Sequence, residues 1–231
     1  MRNFLITILC VISLLGTACH SIQSTDPRIS NDFRQQITES TFASAWISRG
    51  IYRGSGVVTK TEQGCFVWTA YHLLERSKAL IVIRKNSVNA NLYSPMAIAH
   101  IIAFSKNKDL ALLKLNNSGD FLKSSSFYKG ARLPKDILLY NIGAPNGRPG
   151  LVSLGRVTGY ITFPHHNTIV SIITSNKVAP GSSGSGIFLK NGKCAGIIWG
   201  GHPMNSRVAF AIPHFEIMTW AKENSLLYAM P

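Results

Sequence analysis

The feature that most constrains the fold of this sequence is a series of short apolar runs separated by turn residues. The runs are of strand length, are rich in β-branched and aromatic residues, and are broken by Gly, Pro, Asn and Ser. They fall into two similar blocks: 55–58, 65–70, 79–83, 96–104 and 110–115, then 137–140, 155–163, 168–174, 186–189, 194–199 and 207–212. Two blocks of about six strands each predict an all-β protein with two tandem six-stranded antiparallel β-barrels.

The ends of the chain differ from these blocks. Residues 19–40 are polar and show no evident core, which predicts a tether or an arm on the surface. Residues 213–227 carry apolar side chains at helical spacing after Pro213, which predicts a closing C-terminal α-helix. The predicted divisions are therefore a first barrel at 41–127, a link at 128–135, and a second barrel with the helix at 136–231.

The first 18 residues have the composition of an export signal. Arg2 precedes an apolar run at 4–15, and small residues follow at 16–18. Cys19 comes next, so the segment also resembles the lipobox of bacterial lipoproteins, although that pattern prefers Leu where this chain has Gly16. Three expectations stay open: a lipoprotein anchored to the membrane through Cys19, simple secretion, and a retained anchor. The expected location is periplasmic or extracellular.

The charge and the cysteines limit partners and redox chemistry. The net charge is +14, which favours an anionic envelope surface such as acidic lipid or cell-wall polymer. Lysines and arginines are scattered, with no basic helix or aromatic-interleaved run, and this disfavours nucleic acid. Cys65 and Cys194 fall in different predicted barrels, so we expect two unbridged, buried thiols.

Three segments together point to nucleophilic catalysis. Hydrolysis of a peptide needs a nucleophile, a base, a group that orients the base, and donors for the oxyanion. GSSGSG at 181–186 alone suggests a flexible loop, but GCFVWTAYHLLE places His72 at the end of a strand and NKDLALLKL places Asp109 at the start of another. Each residue singly has a structural interpretation: an interior histidine, a turn acceptor and a loop hydroxyl.

In the order His, Asp, Ser, spaced by 37 and 74 residues, the sequence resembles the chymotrypsin/trypsin-like serine protease superfamily. The resemblance runs from about residue 48 to 224. GSGVV before the His, DLALLKL around the Asp and GIIWGG after the Ser are similar to bacterial members, namely the periplasmic stress proteases and staphylococcal glutamyl endopeptidase. The resemblance implies a chymotrypsin-like fold.

The resemblance also implies roles for individual residues. Ser183 matches the nucleophile, His72 the general base and then acid, and Asp109 the carboxylate that orients the imidazole. The backbone N–H groups of Gly181 and Ser183 match the oxyanion hole.

The substrate-binding residues are also implied by the resemblance. Trp199, Gly200 and Gly201 match the edge that pairs with an extended substrate, and Lys177, Val178 and Ile198 match the walls of the primary pocket. Val178 and Ile198 suit a small or medium apolar side chain, although Lys177 near the pocket floor would attract an acidic one.

Departures from the family pattern carry expectations of their own. Ser182 stands where trypsin-like zymogens have an Asp, so activation by a freed N-terminus is not expected. Leu73 follows His72 where the family has a cysteine, so packing must hold that turn. His165 and His166 are adjacent, which is poor metal geometry, and we interpret them as turn residues. No metal or cofactor spacing is present.

These observations predict a serine endopeptidase that is exported and acts on peptide or protein substrates through Ser183. The alternative is a protease-fold binding module, with weak catalysis, for envelope or protein partners. The sequence leaves the oligomeric state open.

Overall fold

The structure, a computed structural model, describes residues 30–75, 78–91, 93–163 and 169–231. Its first half is a closed barrel in which neighbouring strands run antiparallel in the order β1-β2-β3-β6-β5-β4. The strands are β1 (Ser44–Arg49), β2 (Tyr52–Thr61), β3 (Gly64–Ala70), β4 (Ile81–Lys85), β5 (Met96–Ser105) and β6 (Leu110–Leu115). A short helix, α2 (His72–Glu75), follows β3.

The second half is also a closed antiparallel barrel, in the order β10-β11-β12-β9-β8-β7. Its strands are β7 (Leu138–Gly143), β8 (Leu151–Phe163), β9 (Ile169–Thr174), β10 (Gly186–Phe188), β11 (Cys194–His202) and β12 (Asn205–Pro213). Helix α3 (His214–Glu223) follows directly. The structure confirms the prediction of two six-stranded barrels with a C-terminal helix.

Strand β3 shows why several runs are continuously apolar rather than alternating. Successive side chains of a strand point to opposite faces. Cys65 and Val67 pack in the interior of the first barrel, whereas Phe66 and Trp68 pack in a second cluster outside it. Because both faces of β3 are covered, both need apolar residues.

The second cluster, which we call the seam, joins the two barrels. It contains Trp68 and Leu112 from the first barrel, Tyr140 and Phe188 from the second, and Trp220 from α3. Trp68 meets Trp220 edge to face with ring centroids 6.1 Å apart. The interior of the second barrel is a third, separate cluster. The barrels are thus fixed against each other by apolar burial, which is the dominant favourable contribution to folding.

The structure at residues 31–42 differs from the prediction of a surface tether. The segment predicted as a polar tether (19–40) contains helix α1 (Asn31–Phe42), which begins after the N-cap Ser30. Phe33 and Ile37, one turn apart, are 3% and 7% exposed and belong to the seam. The i, i+4 spacing of these two residues within a polar stretch was the available signal.

One strand of the first barrel was not among the predicted runs. It is β1, which supplies the sixth strand of that barrel. The predicted export signal (1–18), Cys19, and the turn at His165 and His166 lie outside the described residues. Among the helices that are described, none is long and apolar enough to cross a membrane.

Candidate active site

His72 and Asp109 form a close side-chain pair. The His72 ring Nδ1 lies 2.7 Å from Asp109 Oδ2, and the His72 backbone N–H donates to Asp109 Oδ1 at 2.8 Å. One carboxylate therefore fixes both the backbone and the ring of the histidine. Its hydrogen bond to Nδ1 selects the tautomer that leaves Nε2 able to accept a proton.

The chain around His72 is held by packing. His72 is the first residue of α2, separated from the end of β3 by one residue, and Leu73 and Leu74 are buried in the first barrel. Gly54 on β2 leaves room for Leu73, because a Cβ at position 54 would clash with the Leu73 side chain. This agrees with the expectation that packing, rather than a disulfide, holds this turn.

Asp109 has an unusual backbone conformation. Its φ of 49° lies in the left-handed region, which Asp tolerates better than most residues. The Asp109 carbonyl accepts from Tyr71 N at 3.1 Å, and the neighbouring Lys108 Nζ forms a 2.6 Å ion pair with Glu216 of α3. The side chains of the paired His72 and Asp109 are 41% and 14% exposed. The imidazole of His72 therefore remains accessible, while the Asp109 carboxylate is largely covered.

The serine turn at 181–186 requires glycine at two positions. Gly181 and Gly184 have φ values of 96° and 82°. A Cβ at Gly181 would clash with the Ala144 carbonyl, and one at Gly184 with the Ser55 carbonyl and the Thr69 hydroxyl. The turn is thus packed against β2 and β3 of the first barrel.

Ser55 of β2 is the main anchor of this turn. Its backbone N–H donates to Ser183 O at 2.8 Å, and its hydroxyl donates to Gly181 O at 3.0 Å. The same hydroxyl accepts from Ala144 N at 3.0 Å, and Thr69 Oγ1 donates to Ser55 O at 2.7 Å. The serine turn of the second barrel is therefore bonded to β2 of the first barrel, which pairs with β3, the strand that precedes His72.

Ser183 itself is half-buried, and within the described part of the chain no hydrogen bond joins its hydroxyl to the His72 ring. In ligand-free proteases the serine–histidine contact is often loose and tightens in the substrate complex. The structure bonds the Ser183 backbone to Ser55 of β2 in the first barrel, and it closes the His72–Asp109 link directly.

The two predicted oxyanion donors are the accessible parts of the turn. Gly181 and Ser183 are partly exposed, whereas Ser182 between them is 2% exposed. The Pro180 carbonyl accepts from Asn146 N at 2.6 Å. In a trans peptide the C=O and N–H groups point in opposite directions, so the Gly181 N–H points away from Asn146. Neither the Gly181 nor the Ser183 N–H has an acceptor among the residues that the structure describes.

Comparison with known proteins agrees with this geometry. The family model described as a trypsin-like peptidase domain matches residues 54–197, which is more than half of the chain. The chain belongs to the trypsin-like peptidase family. The peptidase has no match among curated proteins.

Solved structures show the same fold at low sequence identity. A mutant of Rv3671c from M. tuberculosis in an inactive form is 16% identical, with a TM-score of 0.71, over 88% of this chain and 96% of that one. A variant of the HtrA-type protease AlgW with a tripeptide is 18% identical, with a TM-score of 0.72, over 86% and 64%. The serine endoprotease from Yersinia pestis is 18% identical, with a TM-score of 0.69, over 86% and 68%.

The predicted substrate edge of this peptidase lies at the later residues of β11. Strand β10 begins at Gly186, opposite Ile197, so the later residues of β11 have β12 on one side and no described strand on the other. Trp199, Gly200 and Gly201 lie in this part of β11. The Trp199 ring is held by a 2.9 Å hydrogen bond from Nε1 to Ser171 Oγ.

Two of the residues predicted to form the walls of the primary pocket are more buried than residues that line an open pocket would be. Val178 is 8% and Ile198 is 1% exposed, and both belong to the interior of the second barrel. Lys177 is half-buried, with its backbone N–H donating to Ser153 Oγ at 2.7 Å. Val178 lies directly beneath the open edge, because a Cβ on Gly201 would lie 2.8 Å from its Cγ2.

The two thiols of the peptidase body are free and buried, as predicted. Burial raises the pKa of Cys65 to about 11 and that of Cys194 to about 12. Both are therefore neutral and poor nucleophiles at ordinary pH. In the described ranges no group of three or more His, Cys, Asp or Glu side chains is arranged to hold a metal ion.

Sequence reasoning missed the residues that support the nucleophile turn, namely Ser55, Thr69, Asn141 and Ser185. One signal was available, because Asn141 interrupts the apolar run LLYNIG and asparagine is disfavoured in strands. Ser55 and Ser185 sit inside the GSGVV and GSSGSG motifs, but nothing in the sequence shows which atoms they contact.

Proposed function

We propose that this protein is an exported serine endopeptidase that cleaves peptide bonds through an acyl-enzyme on Ser183. The observation that carries the proposal is the doubly bonded His72–Asp109 pair beside a glycine-defined serine turn. The pair holds a partly exposed histidine in one orientation, and a histidine with no function at the surface would not need to be fixed in this way.

The reaction follows from these positions. The Ser183 hydroxyl attacks the substrate carbonyl carbon as His72 Nε2 takes its proton, and Asp109 stabilises the imidazolium that forms. The Gly181 and Ser183 N–H groups stabilise the oxyanion. His72 then gives the proton to the leaving amine. A water, deprotonated by the same imidazole, hydrolyses the acyl-enzyme and restores Ser183.

Substrate binding uses strand addition. An extended peptide would pair with the open side of β11 at Trp199, Gly200 and Gly201, and main-chain hydrogen bonds would provide affinity that tolerates many sequences. Val178 and Ile198 are buried in the barrel interior, so the proposed preference for small or medium apolar side chains rests on the family resemblance and not on an exposed pocket wall. A peptide library that shows a dominant basic preference would contradict this assignment.

The deciding experiment uses an activity probe. A fluorophosphonate should label the wild type and leave Ser183→Ala unlabelled, and peptide turnover should fall about 10⁶-fold in the variant. Ser182→Ala is the matched control, because it removes the neighbouring hydroxyl, which accepts from Ala179 N at 3.2 Å, and keeps Ser183. Equal labelling of wild type and Ser183→Ala would remove Ser183 from the mechanism.

Export and anchoring are separate proposals that rest on the N-terminal sequence. A lipid anchor at Cys19 would keep the enzyme at the envelope, near the anionic polymers that its +14 charge favours. Detergent partitioning of wild type against Cys19→Ser tests it. Loss of the detergent-phase fraction in the variant supports lipidation, and unchanged partitioning contradicts it.

A further inference from the structure

The support of the Ser183 N–H begins on another strand of the second barrel, at Asn141 of β7. Asn141 is 2% exposed, and its Nδ2 donates to Ser185 Oγ at 2.5 Å and to Gly186 O at 3.2 Å. An amide is costly to bury unless it is hydrogen-bonded. Here both donor positions are directed at the serine turn, which indicates a specific use.

Ser185 connects Asn141 to Ser182, the residue before the proposed nucleophile, through hydrogen bonds. Ser185 is fully buried, and its hydroxyl has only one proton. Because Asn141 is the donor on one side, the Ser185 proton is directed to Ser182 O, 2.5 Å away. Ser185 N donates to the same carbonyl at 3.0 Å. Ser182 O is therefore the end of a buried chain of donors.

The Ser182 carbonyl and the Ser183 N–H belong to one planar peptide unit. Two donors on the carbonyl fix the plane, and the N–H must then point to the opposite side. Donation to the carbonyl also polarises the unit, and chains of hydrogen bonds strengthen one another in this way. The Ser183 N–H is thereby both oriented and made a better donor.

We propose that Asn141 and Ser185 are positioning residues that hold the Ser183 N–H ready to bind the oxyanion. The proposal rests on the proposed peptidase function. It also fits Ser182, because Ser185 and Asn141 would supply from within the barrel the support that trypsin-like enzymes gain on activation, when an aspartate at that position binds the freed N-terminus. The Gly181 N–H is held independently, by Asn146 N on Pro180 O, so loss of the Asn141–Ser185 support should weaken one donor of two.

The test compares two buried serines. Ser185→Ala removes the donor to Ser182 O. Ser44→Ala is the control, since Ser44 is also fully buried and its hydroxyl donates to a backbone carbonyl, Ser40 O, at 2.9 Å. Measured for both are kcat, KM, the melting temperature, and the affinity for a peptidyl trifluoromethyl ketone, which forms an oxyanion on the nucleophile.

We expect Ser185→Ala to lower kcat roughly 10- to 100-fold, below the loss seen when a whole oxyanion donor is removed. KM should stay unchanged and the affinity for the ketone should fall by the same factor as kcat. Ser44→Ala should lower the melting temperature about as much as Ser185→Ala does, and it should leave kcat and the ketone affinity unchanged. A merely structural role of Ser185 would give the Ser44 pattern, which would overturn the proposal.

Asn141→Ala provides the second test and serves if Ser185→Ala does not fold. It should lower kcat with KM unchanged, and the double variant should be no slower than the slower single variant, because both act on one carbonyl. Additive losses would overturn the proposed chain. A wild type that the fluorophosphonate does not label would overturn the peptidase function and this inference with it, whereas a labelled wild type with unchanged kcat in Ser185→Ala overturns this inference alone.

Discussion

In the first barrel the site depends on the orientation of a side chain, the His72 ring. In the second barrel it depends on the orientation of the backbone around Ser183. Asp109 binds His72 with both carboxylate oxygens. Ser183, by contrast, is placed by the carbonyls around it, which accept from Ser55 and Ser185. A base must keep its own ring atoms oriented, so a side-chain partner suits it. Oxyanion donors are backbone groups, so the backbone must be fixed.

This difference predicts that the two halves fail in different ways. A substitution of the His72–Asp109 pair should abolish proton transfer and leave the fold intact. A substitution around the nucleophile turn should disturb conformation and activity together, because the same hydrogen bonds serve both.

The largest effect should come from Asp109→Asn. The amide cannot select the same imidazole tautomer, and we expect kcat to fall about 10⁴-fold with little change in melting temperature. Asp136→Asn is a matched control, because Asp136 is exposed and also has a positive φ, of 68°. Steady-state kinetics and thermal unfolding check both. A kcat within tenfold of wild type would remove Asp109 from its assigned role.

A change in the second barrel should cost stability as well. Gly184→Ala forces a left-handed alanine against the Ser55 carbonyl, so we expect a loss of more than about 2 kcal/mol in unfolding free energy, together with loss of activity. Gly147→Ala has a similar φ, of 74°, but open space around the new methyl group. It should cost about 1–2 kcal/mol from the backbone alone. Equal losses of stability would show that the contact with the first barrel is unimportant.

The seam helix α1 can be tested with one chemical change at two places. Ile37→Ala should destabilise by about 2–5 kcal/mol, because Ile37 is 7% exposed in the seam. Ile51→Ala, at a residue that is 86% exposed, should change stability by less than about 0.5 kcal/mol. Chemical denaturation measures both. An unchanged free energy of unfolding in Ile37→Ala would show that α1 does not contribute to the core that joins the barrels.

The smallest effect concerns one thiol in each barrel. At pH 8 neither Cys65 nor Cys194 should react with a thiol reagent until the protein is unfolded. Burial raises the folded-state pKa of Cys65 to about 11 and that of Cys194 to about 12, above the ordinary thiol value of 9.0. The unfolded thiols therefore ionise first, so their contribution to stability is complete below pH 9 and is lost as pH rises toward 11–12. Rapid labelling of the native protein would contradict the burial.

The sequence by itself determined most of the strands and the family. Strand-length apolar runs predicted two barrels, and the motifs around His72, Asp109 and Ser183 predicted a serine protease by resemblance, because these signals lie within short stretches of chain. The polar composition of residues 31–40 hid α1, since the apolar residues of this stretch that reach the seam are Phe33 and Ile37.

Tertiary structure alone decided what supports the nucleophile. Asn141 meets Ser185 across 44 residues of chain, Ser40 meets Tyr140 across 100, and Ser55 meets Gly181 across 126. Such contacts depend on how the two barrels close and pack against each other. A hydrogen bond needs its atoms within about 3 Å and correctly directed, and no local pattern of residues encodes that distance.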